Sequence, residues 1–487
     1  MSAALISELI VIFALVVDFI IRVVAIIVVP RNRRPTSATA WLLAIFFIPY
    51  LGVLFFLLIG SYKLPKRRRD KQEEINRFIL ESTEGMDRVT REHPWPAWLD
   101  SVVELNRNLG AMPLVGGNRA QLIGAYQGSL DAMIVEIEHA KRYVHVEFYI
   151  LALDTTTAPF FDALEAAARR GVVVRVLLDH IASRRAKGYR RMIRRLEGMP
   201  VEWHLMLPVQ PLRGKYQRPD LRNHRKLLVV DGSVGFTGSQ NVIDRSYNKR
   251  RNLRRGLKWK ELVTRVEGPV VAGLNAIFIT DWYIETDTLL GREVEISPEI
   301  SGPGTIDCQV VPSGPGFRGE NNLRLFLALL YYAQERIVIT SPYFVPDDSM
   351  LMAITTAVGR GLTVELFVSE IGDQPMVYHA QRSYYEALLN AGVRIWMYKK
   401  PYILHAKHFT IDDDVAVIGT SNMDMRSFQL NMELSLMVRG RTFVSALREV
   451  EDGYRADSRE LTLEEWQQRP FWKTILDNLA RLTSALQ

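Results

Sequence analysis

The stretch that decides the fold is HRKLLVVDG at residues 224–232, because a second copy, HAKHFTIDD, occurs at residues 405–413. In both copies a lysine stands two positions after a histidine, and an aspartate stands five positions after the lysine. From the composition, the looser pattern of a histidine, a basic and an acidic residue at these spacings is expected roughly 0.1 times in the chain. The duplication therefore indicates chemistry that uses both copies. The shared residues are His224, Lys226, Asp231, His405, Lys407 and Asp412.

Each copy predicts a buried strand followed by a turn. Residues 227–230 are apolar, and the period of two places His224 and Lys226 on one face of the strand. The turn that follows leaves a hydroxyl and an amide near the strand end in both copies. Two imidazoles, two ammonium groups and paired polar side chains that converge across a twofold axis form a site for a phosphate ester. The predicted phosphate-binding residues are Ser239, Asn241, Thr420 and Asn422.

The two histidines are predicted to have different roles. One can attack phosphorus and form a phosphohistidine, while the other protonates the leaving alcohol and deprotonates the incoming one. A nucleophilic histidine needs an acceptor that fixes its other ring nitrogen. A strand begins with glutamate after each motif, so we predict that Glu261 orients His224 and Glu433 orients His405; an ordinary surface glutamate is the alternative. Asp231 and Asp412 are grouped with the catalytic residues, with anchoring of the lysines or turns as the alternative.

The motifs lie in two halves with the same order of elements. An apolar run, a helical segment and a second apolar run occur at residues 142–179 and again at residues 336–369. This alternation predicts an α/β fold with mixed, largely parallel sheets flanked by helices. We predict two homologous lobes, residues 119–295 and 306–487, related by a pseudo-twofold axis and joined by a linker at 296–305 that is rich in proline, glycine and serine.

The N-terminus predicts a membrane anchor. Residues 4–29 and 38–60 are each long and apolar enough to cross a bilayer as a helix. Residues 1–62 are therefore predicted to form a two-helix transmembrane hairpin. Asp18 and Arg22 stand four residues apart in the first span, where they can pair on one helix face; a helix that lies partly at the interface or packs against a partner is the alternative.

Charge predicts the orientation of this anchor. The run KLPKRRRDK at residues 63–71 opens a basic connector, residues 63–118, and the positive-inside rule places it and the lobes in the cytoplasm. Three arginines in the loop at residues 31–37 oppose this orientation, because a second crossing would carry that loop to the other side.

Composition limits the remaining function classes. With 48% hydrophobic and 24% charged residues the chain can bury a core, and its net charge of +7 indicates anionic partners. The single cysteine, Cys308, excludes an internal disulfide and a cysteine-rich metal site. The sequence contains no carboxylate cluster with metal-ligand spacing, so neither a metal nor another cofactor is predicted.

A basic segment with interleaved apolar residues, KRRNLRRGLKWK, occupies residues 249–260. Beside a membrane anchor it is interpreted as a surface for anionic lipids. A solvated loop and a nucleic-acid patch are the alternatives. The predicted lipid-surface residues are Lys249, Arg250, Arg251, Arg254, Arg255, Lys258, Trp259 and Lys260.

The paired His-x-Lys-x4-Asp motifs, each followed by Gly-Ser/Thr-x-Asn, resemble those of the phospholipase D superfamily. The closer similarity is to bacterial cardiolipin synthases and covers nearly the whole chain, including the paired N-terminal spans. It rests on EFYI (147–150), RNHRK (222–226), VVPSGP (310–315), SPYFVPD (341–347), RSYYEALLNAGVRI (382–395) and GTSNMDMRSFQLNMEL (419–434). A local departure is GFRGEN at 316–321, where many relatives carry an aspartate after the Gly-Pro.

The resemblance implies that one phosphatidylglycerol transfers its phosphatidyl group to a histidine and releases glycerol. A second phosphatidylglycerol then attacks through a free hydroxyl and forms cardiolipin. It also implies that His224 is the nucleophile and His405 the general acid/base, although the near-symmetry keeps the reverse assignment open. The expected partners are phosphatidylglycerol, cardiolipin and the inner membrane of a bacterial cell, with no nucleic acid; a homo-oligomer stays open.

Three other functions compete with this one. A phosphatidylserine synthase of the same superfamily fits the motif context less well than a cardiolipin synthase. A phospholipase D-type hydrolase or nuclease would use water as the acceptor and form the same intermediate, although the membrane anchor argues against a nuclease. A non-catalytic membrane scaffold predicts the loss of a histidine or lysine from one motif, whereas both motifs are intact.

Overall fold

The structure, a computed structural model, describes residues 3–31, 33–61, 63–84, 96–290, 304–317 and 319–482. The chain forms two compact units, Met1–Leu64 and Pro65–Gln487. Most of the linker predicted at residues 296–305 lies outside the described residues.

The first unit consists of three apolar helices, α1 (Ala3–Val28), α2 (Pro35–Phe47) and α3 (Pro49–Ile59). The Ile6–Val28 part of α1 has 23 residues and a mean hydropathy of 2.9. At 1.5 Å per residue, α1 is long enough to cross the ~30 Å hydrocarbon core of a bilayer. Arg22 Nε donates to Asp18 Oδ2 at 2.8 Å, which is the predicted pair.

The second predicted span, residues 38–60, is not one helix. The backbone breaks at Ile48, because Pro49 lacks an N–H group and its ring clashes with the preceding helical turn. The chain then reverses, since a Cβ on Gly52 would lie 2.7 Å from the Ala44 carbonyl oxygen. Helices of 13 and 11 residues extend only about 20 and 16 Å, so the prediction of a continuous second transmembrane helix is wrong.

The second unit begins with α4 (Lys66–Ser82) and α5 (Ala97–Gly110). The strands of its first lobe are β1 (Leu114–Ile123), β2 (Tyr143–Phe148), β3 (Val173–Asp179), β4 (Glu202–Met206), β5 (Val209–Gln210), β6 (Lys215–Tyr216), β7 (Arg222–Asn223), β8 (Lys226–Val230), β9 (Val234–Gly238), β10 (Lys258–Lys260) and β11 (Val263–Glu267). The helices of this lobe are α6 (Tyr126–His139), α7 (Ala158–Arg169), α8 (His180–Arg184), α9 (Tyr189–Glu197), a 3-10 helix (Pro211–Arg213), α10 (Arg250–Arg254) and α11 (Val270–Thr286).

The second lobe repeats this plan. Its strands are β12 (Ile306–Ser313), β13 (Arg336–Thr340), β14 (Phe344–Val345), β15 (Thr363–Ser369), β16 (Arg394–Tyr398), β17 (Tyr402–Leu404), β18 (His408–Ile411), β19 (Val415–Gly419), β20 (Met423–Asp424), β21 (Asn431–Arg439) and β22 (Ser458–Leu461). Its helices are α12 (Asn321–Tyr332), α13 (Asp348–Gly359), α14 (Pro375–Arg382), α15 (Tyr385–Ala391), α16 (Met425–Gln429), α17 (Arg441–Ala456), α18 (Leu463–Gln467) and α19 (Phe471–Arg481).

One continuous sheet runs through both lobes. Its order is β4-β3-β2-β8-β9-β11-β1-β12-β21-β19-β18-β13-β15-β16-β22. At the centre β1 pairs with β12 in antiparallel orientation, with Leu114 opposite Gln309. From this pair outward, the strands of the two lobes occur in the same order: β11, β9, β8, β2, β3 and β4 on one side correspond to β21, β19, β18, β13, β15 and β16 on the other. The predicted α/β fold with two related lobes is therefore confirmed.

The orientation of the strands corrects one part of the prediction. Along this sheet, parallel pairing is confined to β2–β3, β3–β4, β13–β15 and β15–β16. The other neighbouring strands are antiparallel, so the sheet is mixed but not largely parallel. The reason is the connection after each motif, because β8–β9 and β18–β19 are joined by loops too short to cross over the sheet.

Apolar helix faces close the core on the sheet. In the first lobe Phe160, Phe161 and Leu164 of α7 are fully buried in a cluster that includes Val146 and Phe236. The lobes share one sheet and one compact unit. β1 begins at Leu114, ahead of the predicted lobe boundary at residue 119; the bounds 119–295 and 306–487 stay a prediction.

Candidate active site

Short strands that bridge the lobes hold both histidines. β7 pairs in parallel with the start of β21, and the His224 N–H donates to the Met432 carbonyl oxygen at 2.9 Å. In the same way β10 pairs with β17, and the His405 N–H donates to the Lys260 carbonyl oxygen at 2.7 Å. Each histidine is thereby placed beside the residue that follows its backbone hydrogen-bond partner in the other lobe.

Those following residues are the predicted glutamates, but the pairing is crossed. His224 Nδ1 lies 3.0 Å from Glu433 Oε2, and His405 Nδ1 lies 2.8 Å from Glu261 Oε2. The prediction that Glu261 orients His224 and Glu433 orients His405 is therefore wrong, because the backbone of each histidine pairs with a strand of the opposite lobe. A carboxylate only accepts hydrogen bonds, so Nδ1 carries the proton and Nε2 keeps its lone pair.

The lysines secure the same loops. Lys226 Nζ donates to the His224 carbonyl oxygen at 2.5 Å, and Lys407 Nζ donates to the His405 carbonyl oxygen at 2.7 Å. Both lysines are buried and retain further N–H donors for a ligand. The two motif sets thus have equivalent internal geometry.

Burial governs the ionisation of these groups. It lowers the pKa of His224 to about 4, although Glu433 opposes this shift. It also lowers the pKa of Lys226 to about 7 and that of Lys407 to about 8. Lys407 further lowers the pKa of Lys226, and Lys226 lowers that of His405, so charges of each motif set act on the other within one site. At neutral pH the His224 imidazole is neutral and retains a nucleophilic nitrogen.

The motif hydroxyls support the glutamate strands. Ser239 Oγ accepts a hydrogen bond from the Leu262 N–H at 2.9 Å, and Thr420 Oγ1 accepts one from the Leu434 N–H at 2.9 Å. Thr420 Oγ1 also donates to Glu433 Oε2 at 2.5 Å. Both hydroxyls therefore form hydrogen bonds within the protein, whereas the sequence predicted that they contact phosphate.

The motif asparagines differ from each other. Asn241 Oδ1 accepts from the Ile150 N–H at 3.1 Å, and its Nδ2 donates to the Tyr247 hydroxyl at 2.9 Å. Asn422 Oδ1 is buried and has no hydrogen-bond partner among the described residues. A phosphate-binding role for the asparagines stays a prediction.

The motif aspartates are structural. Asp231 accepts hydrogen bonds from the backbone N–H groups of residues 141–143 at 2.8–2.9 Å, and Asp412 accepts from those of residues 334–336. Both adopt left-handed backbone conformations, with φ of 54° and 47°. They lie at the turn ends of β8 and β18, away from the histidines. Their grouping with the catalytic residues is therefore corrected: they anchor turns.

The basic segment divides into an exposed and a buried part. The side chains of Lys249, Arg250 and Arg251 are exposed, as are those of Arg254 and Arg255. Trp259, by contrast, is 3% exposed and packs in an apolar cluster with Leu257 and Ile403. Lys258 and Lys260 flank it in β10 and are half-buried. Trp259 is therefore not a lipid-surface residue, because β10 is the strand that bridges to β17.

Aromatic side chains line the histidines, and the sequence interpretation missed them. The Tyr149 ring centroid lies 4.7 Å from that of His224, and the Tyr343 centroid lies 6.3 Å from that of His405. Tyr149 and Tyr343 occupy the same position in the two repeats, RYVHVEFYI and RIVITSPYF. This equivalence was the available signal. Tyr247 also lies beside His405, with centroids 6.4 Å apart.

A large cavity lies elsewhere in the second unit. Its volume is about 800 Å³, and Arg190, Arg194, Trp203 and Lys215 are among its lining residues. No predicted catalytic residue lines it. The active site is therefore assigned from the converging side chains.

The motif glycines allow the glutamate strands to approach, and this predicts an effect on stability. A Cβ on Gly419 would lie 2.2 Å from the Leu434 carbonyl oxygen, directly after Glu433. We expect Gly419→Ala to destabilise the protein by about 1–3 kcal/mol, since the backbone has to move. The control is Gly359→Ala at the end of α13, where an added methyl meets nothing within 4 Å. Thermal unfolding in detergent measures both variants, and equal melting temperatures would contradict the argument.

Comparisons with known proteins point to one enzyme family. The family described as cardiolipin synthase, PLD-like domain, matches residues 133–282 and 326–452. A second family, described as phospholipase D-nuclease N-terminal, matches residues 20–61. Cardiolipin synthase A of Serratia proteamaculans (strain 568) is 35% identical over 467 residues, which are 94% of each chain. Cardiolipin synthase A of Pectobacterium carotovorum subsp. carotovorum (strain PC1) is 34% identical over the same share of both chains.

A solved structure shares the fold. The phosphatidylserine synthase of Haemophilus influenzae Rd KW20 superposes with a TM-score of 0.60 at 15% identity, over 80% of this chain and 100% of that chain. At this identity the likeness concerns the fold alone. The family matches and the extent of the sequence identity lead to one conclusion: the chain belongs to the cardiolipin synthases, phosphatidyltransferases of the phospholipase D superfamily.

Proposed function

We propose that the chain joins two phosphatidylglycerol molecules into cardiolipin and releases glycerol, through a covalent phosphatidyl-histidine. The observation that carries this proposal is the pair of crossed contacts, His224–Glu433 and His405–Glu261, in one buried site. Two oriented imidazoles supply both a nucleophile and a proton carrier. Membership of the cardiolipin synthase family supports the choice of lipid acceptor over water.

In the first step His224 Nε2 attacks the phosphorus of one phosphatidylglycerol. A P–N bond forms, the P–O bond to the terminal glycerol breaks, and His405 donates a proton to the leaving oxygen. Burial lowers the pKa of His405, so it takes up this proton when the anionic phosphate binds beside it. Lys226 and Lys407 stabilise the charge on the non-bridging oxygens. Their pKa values, lowered by burial to about 7 and about 8, leave room for an anionic phosphate to draw both towards the protonated state.

In the second step the roles of His405 are reversed. The imidazole, now neutral, takes a proton from a free hydroxyl of the second phosphatidylglycerol. The resulting oxygen nucleophile attacks phosphorus, the P–N bond breaks, and cardiolipin leaves. His405 is then protonated again and His224 is free, so the cycle balances without a nucleotide or a further proton donor.

The test uses the purified full chain in detergent with phosphatidylglycerol alone. We expect cardiolipin and glycerol in equal amounts, and a loss of about 10²–10⁴-fold in rate for His224→Ala or His405→Ala. The matched control is His139→Ala, an exposed histidine at the end of α6. Phosphatidic acid in place of cardiolipin would identify a hydrolase, and full activity in His224→Ala would contradict the mechanism.

We propose that the protein lies in the bacterial cell membrane with its lobes on the cytoplasmic side, where α1 crosses and α2–α3 enter and leave by the same face. Arg33 Nη1 donates to the Gly60 carbonyl oxygen, and the Arg33 guanidinium lies 4.8 Å from the Phe56 ring centroid. The start of α2 therefore lies beside the end of α3. A re-entrant hairpin also places the arginines of residues 31–34 and the basic run 63–71 on one side, which satisfies the positive-inside rule.

Labelling of single cysteines tests this topology. Thr36→Cys and Ser61→Cys place exposed thiols at the two ends of the hairpin. We expect both to react with an impermeant maleimide in inside-out vesicles only, and an N-terminal tag to be cleaved by protease in right-side-out vesicles only. Cys308 is buried and serves as the internal control that reacts after denaturation. Labelling of Thr36→Cys from the outside would instead establish a second crossing.

The exposed part of the basic segment is retained as a surface for anionic lipids. Lys249, Arg250, Arg251, Arg254 and Arg255 are exposed around α10. Leu253, on the same short helix, is 55% exposed. An apolar side chain among cations suits the headgroup region of an anionic membrane.

A further inference from the structure

The loop that carries His224 contains a buried arginine that the second motif lacks. Arg225 stands between His224 and Lys226 and is 1% exposed, whereas the equivalent residue of the second lobe is Ala406. Arg225 Nε donates to the Glu433 carbonyl oxygen at 3.2 Å. Arg225 therefore binds the backbone of the same glutamate whose carboxylate orients His224.

The other end of the Arg225 guanidinium meets a pair of carboxyl groups. Arg225 Nη1 donates to Asp281 Oδ2 on α11, and Asp281 is fully buried. Glu147 on β2 lies close enough to Asp281 for the charges to interact, and burial and the Asp281 charge raise the pKa of Glu147 well above its usual range. The protonated form of Glu147 is therefore favoured, and Arg225 is the cation that contacts this buried pair through Asp281.

The residue before His224 is tied to the same pair. Asn223 Nδ2 donates to Glu147 Oε1 at 2.7 Å. The two neighbours of His224 in the chain are thus each anchored to one member of the pair, Asn223 to Glu147 and Arg225 to Asp281. In the second lobe the residue equivalent to Glu147 is Ser341, whose hydroxyl donates to the Tyr343 carbonyl oxygen at 2.8 Å instead.

We propose that Asn223, Arg225, Glu147 and Asp281 form a clamp that holds His224 and Glu433 in fixed register, and that this asymmetry makes His224 the nucleophile. A nucleophile must keep its lone pair in line with the breaking P–O bond, and a displacement of 1 Å can cost about 10²-fold in rate. A proton carrier tolerates more movement. The inference rests on the proposed function and adds positioning residues to it.

The first experiment replaces Arg225 with the residue of the other lobe. We expect Arg225→Ala to lower kcat about 10²-fold with little change in KM, and Arg225→Lys to recover only part of the loss, since an ammonium group lacks the planar fork. The matched control is Arg455→Ala, which removes a half-buried partner of Glu365 in the second lobe, 2.9 Å away. If the control lost as much kcat as Arg225→Ala, the effect of Arg225 would be explained by a general loss of stability, and the clamp would be contradicted.

Glu147 provides a second pair of variants if Arg225→Ala fails to fold. Glutamine reproduces a protonated glutamate, with an oxygen for Asn223 and an N–H for Asp281. We therefore expect Glu147→Gln to restore most of the kcat that Glu147→Ala loses. Equal losses in both variants would contradict the role of protonated Glu147 in the clamp.

The assignment of the nucleophile is tested with an activated lipid, phosphatidyl-p-nitrophenol, whose leaving group needs no proton. We expect His405→Ala to form a covalent adduct on the His224 peptide, identified by mass spectrometry after quenching with denaturant at neutral to mildly alkaline pH, because the P–N bond is labile in acid. His224→Ala should form none, and Arg225→Ala should form it more slowly. An adduct on His405 would overturn the assignment. A wild-type adduct without cardiolipin from phosphatidylglycerol would refute the proposed function while leaving the clamp intact.

Discussion

The structure depends on one constraint, the hydrogen bond from each motif histidine to a glutamate of the other lobe. Glu261 and Glu433 are almost fully buried, and a buried carboxylate without a partner is strongly destabilising. The crossed pairs therefore serve the fold as well as the chemistry. The bridging strands β7 and β10 and the central β1–β12 pair bring the partners together. Neither lobe contains a complete site, so the duplication is obligatory.

The same burial prepares the site for an anion. Water is excluded from two imidazoles, two lysines and two glutamates, and the lysines lose part of their affinity for protons as a result. A bound phosphodiester supplies the negative charge that the lysines lack. Because the donors are already fixed by their hydrogen bonds to the His224 and His405 carbonyl oxygens, little reorganisation accompanies the reaction.

The sequence was sufficient for the parts of the site that a local pattern determines. The spacing of His224 and Lys226 predicted a shared strand face, and the recurrence of glutamate identified both orienting residues. It could not predict which glutamate serves which histidine, since residues 224 and 433 meet only through the pairing of strands from different lobes. Asp231 was misassigned because its role follows from a left-handed turn. The second span was predicted as one helix because its apolar composition is uniform and does not show that a new helix begins at Pro49.

Duplication makes two histidines alike, whereas the reaction requires them to differ. The motif residues repeat almost completely, so the difference has to come from their surroundings. Arg225 faces a carboxyl pair in the first lobe, whereas Ala406 in the second has no side chain that could reach one. The asymmetric residues do not react themselves but contact the residues next to His224. A substitution there changes the position of the imidazole and leaves the reacting groups in place. A duplicated enzyme can in this way keep two identical motifs and still give each a separate task.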